Sequence, residues 1–318
     1  MAKRSITEAP CRGTGGFFHF TGISMEFRLT AKMFSGPAGP WLRLMRFDRP
    51  IGIALLLWPT WWGLFMAGNG RPSLKNIVIF TLGVVVMRAA GCVINDWADR
   101  DLDPHVGRTE NRPLASGELK PEQALGLFFG LMAAAFALVL MTNGLTVLLA
   151  FFGALLAGSY PFFKRFTHLP QMALGIAFAW SIPMAFAAET GTIPEPAWWL
   201  FCLNIVWVLI YDTQYAIADR ADDLKVGVRS TAILFGAADV PIIAALMGLL
   251  SAGLVIFGLR FLPSPAWFTA VAIALLLFQH QLWRIRGRDP QACFRAFLSN
   301  HWVGFTLWAG MAAALWMR

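Results

Sequence analysis

Charge is scarce in this sequence. Only 14% of its 318 residues are Asp, Glu, Lys or Arg, against about 25% in an ordinary soluble domain. That deficit argues against a large soluble helical protein. Cysteine is scarce as well: Cys11, Cys92, Cys202 and Cys293 lie far apart and form no CxxC pair, which indicates neither a disulfide framework nor a zinc site. The five histidines are scattered and fit local hydrogen bonding better than a metal cluster. The basic residues do not gather on a soluble segment, so a nucleic-acid partner is not indicated. Residues 1–40 are basic and rich in Gly, Ser and Pro, and they lack the apolar core of a secretion signal. They read as a disordered N-terminal extension. A cytoplasmic tail, a weak organellar transit peptide and a true start at Met25 all remain compatible with it.

What the chain has is apolar length. Hydrophobic residues make up 57% of it, in runs of about 20 residues, each long enough to cross a bilayer as a helix. Nine such runs are expected, near 51–68, 76–95, 122–142, 144–161, 170–189, 197–216, 238–259, 265–283 and 298–316. The fold class is therefore all-α, a polytopic membrane protein whose transmembrane domain covers residues 41–318. Trp58, Trp61, Trp62, Trp198 and Trp199 sit near span ends, as interfacial anchors do.

Positive charge sets the expected orientation. Eight Lys/Arg precede the first span. Arg100, Arg108, Arg112 and Lys120 follow the second, Lys164 and Arg165 the fourth, Arg220, Lys225 and Arg229 the sixth, and Arg284, Arg286, Arg288 and Arg295 the eighth. The opposite side holds only Arg71, Lys75, Arg260 and Arg318. The positive-inside rule then places the N-terminus in the cytoplasm. Arg88 is left over, inside the second span.

The acids are placed just as unevenly. Asp96, Asp99, Asp101 and Asp103 crowd the end of the second span in "INDWADRDLD". A helix through this stretch puts Asn95, Asp99 and Asp103 on one stripe, with Arg88 about two turns deeper. "YDTQYAIADRADD" repeats the pattern at the end of the sixth span, where Asp212, Asp219 and Asp223 share a face beside Tyr215. Crowded carboxylates repel unless cations neutralise them. Hard oxygen ligands suit Mg²⁺, which is usually completed by water and substrate phosphates. Arg46, Arg108, Arg112 and Lys164 are near enough in sequence to hold such phosphates, so a carboxylate–Mg²⁺–diphosphate site fits. A solvated acidic loop is the plainer reading of either group alone.

At these residues the sequence resembles the UbiA superfamily of intramembrane prenyltransferases, and within it the branch acting on 4-hydroxybenzoate. Asn95, Asp96, Asp99 and Asp103 match its NDxxDxxxD motif, and "YDTQYAIADRADD" its second Asp-rich motif. "RAAGCVIND", "YPFFKRFTHLPQ", "WSIPMAFAA" and "GVRSTAILFG" match in order. The resemblance implies nine transmembrane helices around a central cavity with a cytoplasmic polar cap. It also implies transfer of a polyprenyl chain from polyprenyl diphosphate to an aromatic acceptor in the bilayer, in ubiquinone biosynthesis. It makes Asp96, Asp99, Asp103, Asp212, Asp219 and Asp223 the expected Mg²⁺ ligands, and Asp212, Asp99 and Asp219 the catalytic acids. Arg46, Arg88, Asn95, Arg108, Arg112, Tyr160, Lys164, Trp180, Ser181 and Tyr215 become the expected substrate contacts. A bacterial inner membrane is the expected location, a mitochondrial one the alternative. Sister enzymes with another acceptor, or a transporter, are the rival functions; the absence of an internal repeat disfavours the transporter.

Overall fold

The computed structural model describes residues 34, 36–105, 109–163 and 166–317. The expected N-terminal extension lies almost wholly outside these residues, as do Arg108 and Lys164. Helices are α1 (Gly39–Leu44), α2 (Ile51–Ala67), α3 (Leu74–Asp99), α4 (Pro121–Val139), α5 (Gly144–Phe163), α6 (Pro170–Ala179) and α7 (Ser181–Thr190). They continue as α8 (Glu195–Val226), α9 (Thr231–Phe235), α10 (Asp239–Phe261), α11 (Pro265–Ile285) and α12 (Pro290–Trp316). Short 3-10 turns occupy Asp103–His105 and Gly236–Ala238. There is no strand among the described residues.

Local chemistry explains the boundaries. Pro121, Pro170, Pro265 and Pro290 open their helices, at the one place where a missing N–H breaks no bond. Gly191 and Gly227 close α7 and α8 at φ 70° and 71°, the left-handed turn that lacks a Cβ penalty. The fifth expected span is divided at Trp180 into α6 and α7. Pro183 has no N–H to give the Ala179 carbonyl, so the helical ladder is interrupted there.

Among the described residues, seven segments are long and apolar enough to cross a membrane: α3, α4, α5, α6 with α7, α8, α9 with α10, and α11. The nine expected spans differ from this count at two places. At 17 residues, α2 is shorter, and the 27 residues of α12 include Arg295, Asn300 and His301.

The bundle is solid on one side and hollow on the other. On the solid side α8 packs against α6, α10 and α12, α12 against α2 and α11, and α2 against α7. Trp207, Tyr211, Phe257, Trp267 and Phe278 are fully buried there. Several polar groups inside it are linked to one another. Asn300 donates to Gln214 (2.9 Å) and accepts from Trp207 (3.1 Å), and Gln214 donates to Gln281 (3.1 Å). On the hollow side α4 buries only Ala124 and Val139, and α5 only Thr146, Leu149 and Pro161.

Glycine sets the approach of α12 to its neighbours. A Cβ on Gly310 would fall 2.2 Å from the Ala270 Cβ of α11, and neither atom could swing aside. Gly310→Ala should therefore destabilise the fold by roughly 1–3 kcal/mol through overpacking. Ala270→Gly in the same chain should recover most of the loss, as read by the thermal unfolding midpoint in detergent. Equal midpoints for parent and single variant would refute the packing argument.

Candidate active site

The first acid group is built from a helix end and the turn after it. α3 stops at Asp99, and Asp103 arrives on the Asp103–His105 turn. The expected continuous helical stripe through Asp103 is thus corrected. The turn still brings Asp103 beside Asp96 and Asp99, and all three are buried. Asp101 is exposed, its side chain at 80%, and lies outside the cluster.

Asp96 and Asp103 are met by arginines from the same chain. Arg46 donates one guanidinium nitrogen to both Asp96 oxygens at 2.8 Å. Arg112 lies 3.1 Å from Asp96 and 2.8 Å from Asp103. Arg46 holds a left-handed backbone, φ 60°, and its guanidinium also bonds the Arg43 carbonyl at 2.9 Å. Such a strained residue persists only where its surroundings over-determine it. Both oxygens of Asp96 thereby accept hydrogen bonds within the protein, which ties this expected Mg²⁺ ligand into the scaffold. Asn95 donates to Asp99 at 3.2 Å. Burial pushes the Asp103 carboxyl above its ordinary range; Arg112 opposes the shift, and Asp96 and Asp99 add to it.

The second group lies on one uninterrupted helix. Asp212, Asp219 and Asp223 all belong to α8 and are half-buried. Asp212 lies within electrostatic reach of Asp219, Arg88 and Asp223. Tyr160 lies within reach of both Asp212 and Asp99, so the two acid groups face a common space. Tyr215 packs its ring against Phe297 and Phe294 of α12, with centroids 4.9 and 6.0 Å away, and lies within reach of Arg112.

Arg88 lies about 10 Å along α3 from Asn95. No carboxylate pairs with it among the described residues, and its buried Nε has no hydrogen-bond partner. Its electrostatic neighbours are Cys92, Tyr160, Tyr211, Tyr215 and, from α8, Asp212. The chain contains only three tyrosines, and all three lie within electrostatic reach of this guanidinium. Arg88 also lines a cavity of about 500 Å³ enclosed by α2 to α7, with Tyr160, Trp180 and Ser181 on the same wall. The Trp180 indole is fixed by a 2.8 Å bond to the Leu149 carbonyl, and Ser181 donates to Phe178 at 3.1 Å. Phe129, Phe136 and Phe151 line the cavity too, yet are 65%, 41% and 56% exposed. The cavity therefore reaches the outer wall of the bundle between α4 and α5.

Two features of the site carry no sequence pattern. A Cβ on Gly52 would stand 2.2 Å from the Arg88 Nε, so the guanidinium lies against bare backbone of α2. The Tyr211 hydroxyl is buried without a partner among the described residues. Tyrosine scarcity was the one available hint to it.

No three His, Cys, Asp or Glu side chains among the described residues converge tightly enough to hold a metal by themselves. The donor set is two separated groups of hard carboxylate oxygens. Mg²⁺ is commonly held by one or two carboxylates and completed by substrate phosphates and water. Such a set fits that ion with a phosphorylated substrate, and does not fit a closed protein cage.

The model of the UbiA prenyltransferase family matches residues 56–310. A 4-hydroxybenzoate octaprenyltransferase of Azotobacter vinelandii is 53% identical over 274 residues, covering 86% of this chain and 93% of that protein. One from Pseudomonas aeruginosa is 52% identical over 281 residues, covering 88% and 95%. Among solved structures, a UbiA homologue from Aeropyrum pernix K1 aligns with a TM-score of 0.72 at 22% identity, over 82% of this chain and 97% of that one. A UbiA homologue from Archaeoglobus fulgidus, bound to GPP and Mg²⁺, aligns at 0.66 and 18% identity, over 88% and 100%.

The Arg46–Asp96–Arg112 bridge should matter for stability on its own account. Asp96→Asn takes from the largely buried Arg46 its carboxylate partner, and from Arg112 one of two, and should cost on the order of 3 kcal/mol. A thermal unfolding midpoint unchanged from the parent would show that water screens these ions.

Proposed function

The chain belongs to the UbiA prenyltransferase family, and from that membership we propose that it transfers a polyprenyl group from polyprenyl diphosphate to 4-hydroxybenzoate. The bond forms at the ring carbon ortho to the hydroxyl, diphosphate leaves, and the product enters ubiquinone biosynthesis. Relatives bearing that activity in their names are about half identical over most of the chain. Within the structure, the observation that carries the reading is Arg88: a half-buried guanidinium whose buried Nε has no hydrogen-bond partner and which forms no ion pair among the described residues, at the edge of an apolar cavity and about 10 Å from the acid-lined mouth.

The proposed division of labour follows from the geometry. Asp99 and Asp103 on one side, with Asp219 and Asp223 on the other, would hold Mg²⁺ together with the donor diphosphate. Bound Mg²⁺ supplies charge neutralisation for a leaving group that is otherwise poor. Arg112, Arg108 and Lys164 would add positive charge to the same diphosphate; Arg112 does so while tied to Asp96 and Asp103. As the C–O bond breaks, the bonding pair leaves with diphosphate and an allylic cation remains. Tyr160 and Trp180 shelter that cation through their ring faces, and the apolar walls exclude water that would capture it. Arg88 grips the acceptor carboxylate in bidentate fashion, with Tyr211 as a second donor. The ring carbon then bonds to the allylic carbon, and Asp212 takes the ring proton. The prenyl tail leaves the cavity between α4 and α5, past Phe129, Phe136 and Phe151, into lipid.

In this reading α2 and α12 complete nine spans, and the acid-lined mouth with the N-terminus faces the cytoplasm of a bacterial inner membrane. The positive loops support that orientation.

Two experiments test the assignment with purified protein, a polyprenyl diphosphate and aromatic acceptors. EDTA should abolish turnover, and Asp99→Ala or Asp219→Ala should each lower kcat at least about 10²-fold while the protein stays folded. Substantial turnover under any of these conditions would refute the Mg²⁺–diphosphate assignment. Arg88→Gln should raise the KM for 4-hydroxybenzoate and erase its preference over the neutral amide, since one good charged hydrogen bond is worth roughly 1.5–3 kcal/mol. Gly52→Ala should act in the same direction by pushing the guanidinium out of place, with the donor KM unchanged. A preference ratio that stays at the parent value in Arg88→Gln would assign that arginine a purely structural role.

A further inference from the structure

From Pro265 to Trp316 the chain carries four arginines and a single acid, Asp289. The arginines, at 284, 286, 288 and 295, fall at one corner, where α11 ends and α12 begins. Gln281 donates to Ser299 at 3.1 Å, which fixes the level at which these consecutive helices meet. Arg284 lies three residues beyond Gln281, and Arg295 four residues before Ser299. Each therefore stands about one turn nearer the same end, and the two are within electrostatic reach of each other.

The acids nearby do not balance this charge. Arg288 is held, together with Arg220, by the fully buried Asp239 of α10. Asp289 caps α12, accepting from the Ala292 N–H at 2.7 Å. Arg284, Arg286 and Arg295 form no ion pair among the described residues. Arg284 turns its Nε to the His280 Nε2 at 2.8 Å, and Arg286 lies over the Trp283 ring, 5.4 Å from its centroid. Neither contact brings negative charge. A topology bias asks only for arginines on one side of a membrane. It does not ask three of them to share a corner, where like charges repel.

Below the arginines the surface turns apolar. Ile273, Leu276 and Trp283 are 44%, 70% and 59% exposed. With the exposed His280 they recur at steps of three and four, which is one face of α11. That helix is long and apolar enough to cross a membrane. Its outer face then meets acyl chains, and its last turn lies at the interface, where tryptophan is enriched.

We propose that the α11–α12 corner binds an anionic phospholipid, its phosphodiester held by Arg284, Arg286 and Arg295 and its acyl chains lying along the face below Trp283. Charge complementarity selects this occupant. A zwitterionic lipid would bring a further cation to a place that already has three. A free phosphate lacks the chains that would cover Leu276 and Ile273. The proposal rests on α11 crossing the membrane and is independent of the prenyl transfer proposed above.

The test is lipid binding to the full-length protein in detergent, measured by native mass spectrometry and by the thermal unfolding midpoint. The probes are short-chain phosphatidylglycerol, phosphatidylcholine of the same chain length, and inorganic phosphate. The parent should bind phosphatidylglycerol at least about tenfold more tightly than phosphatidylcholine. Changing Arg284, Arg286 and Arg295 together to Gln should lower the phosphatidylglycerol affinity roughly 10²-fold and leave that for phosphatidylcholine unchanged. Arg295→Gln alone should lower it about fivefold, and it provides the test should the triple variant not fold. Lys75→Gln, an exposed cation at the other end of the bundle, should leave the preference intact. Equal affinity for the two lipids in the parent, or a preference that survives undiminished in either arginine variant, would overturn the proposal. An equal loss in Lys75→Gln would do the same, by reassigning the preference to overall charge. Stabilisation by inorganic phosphate as strong as that by phosphatidylglycerol would also overturn it, leaving a simple anion site.

Discussion

A charge removed from water must be met by another charge or it becomes unaffordable, and this constraint organises the polar end of the molecule. Asp96 is the clearest case. Buried at 1% exposure, it is matched by Arg46 and Arg112, and through them it ties the α1–α2 connection and the loop after α3 to the end of α3. Asp239 does the same for Arg220 and Arg288. These two bridges brace the two acid-bearing segments. Within them Asp99 accepts from the Asn95 amide at 3.2 Å, and the arginines are drawn toward Asp96, Asp103 and Asp239.

Against that background Arg88 is the exception, and its place in the fold explains why. It lies against Gly52, is within electrostatic reach of every tyrosine of the chain, and faces the cavity. Asp212 lies within its electrostatic reach, but the buried Nε of Arg88 has no hydrogen-bond partner among the described residues. In a low-dielectric setting such an unmet donor is costly.

The division of the bundle into a solid and a hollow half follows from how each helix satisfies its surroundings. α8 and α12 carry polar side chains deep in the packed half, and these bond to one another through Asn300, Gln214 and Gln281. Interlocking amides and fully buried tryptophans hold that half together. α4 and α5 carry almost no polar groups and bury few residues. They contribute a thin apolar wall to the cavity.

Composition and periodicity were enough to establish an all-helical chain built around apolar runs, the two acid groups with Arg88 on the helix that carries the first, and the family resemblance. Each of these depends on residues close together in sequence, where helical spacing and hydrophobic length act directly. The end of α3 at Asp99, the use of Asp96 by Arg46 fifty residues away, the clamp on Arg220 and the Gly52 contact with Arg88 were decided by tertiary structure, whereas the break at Trp180 follows locally from Pro183. All but the first of these tertiary features are contacts between distant segments, and the partner that a buried charge or a bare backbone finds is set by how helices pack, a choice that neighbours along the chain do not encode.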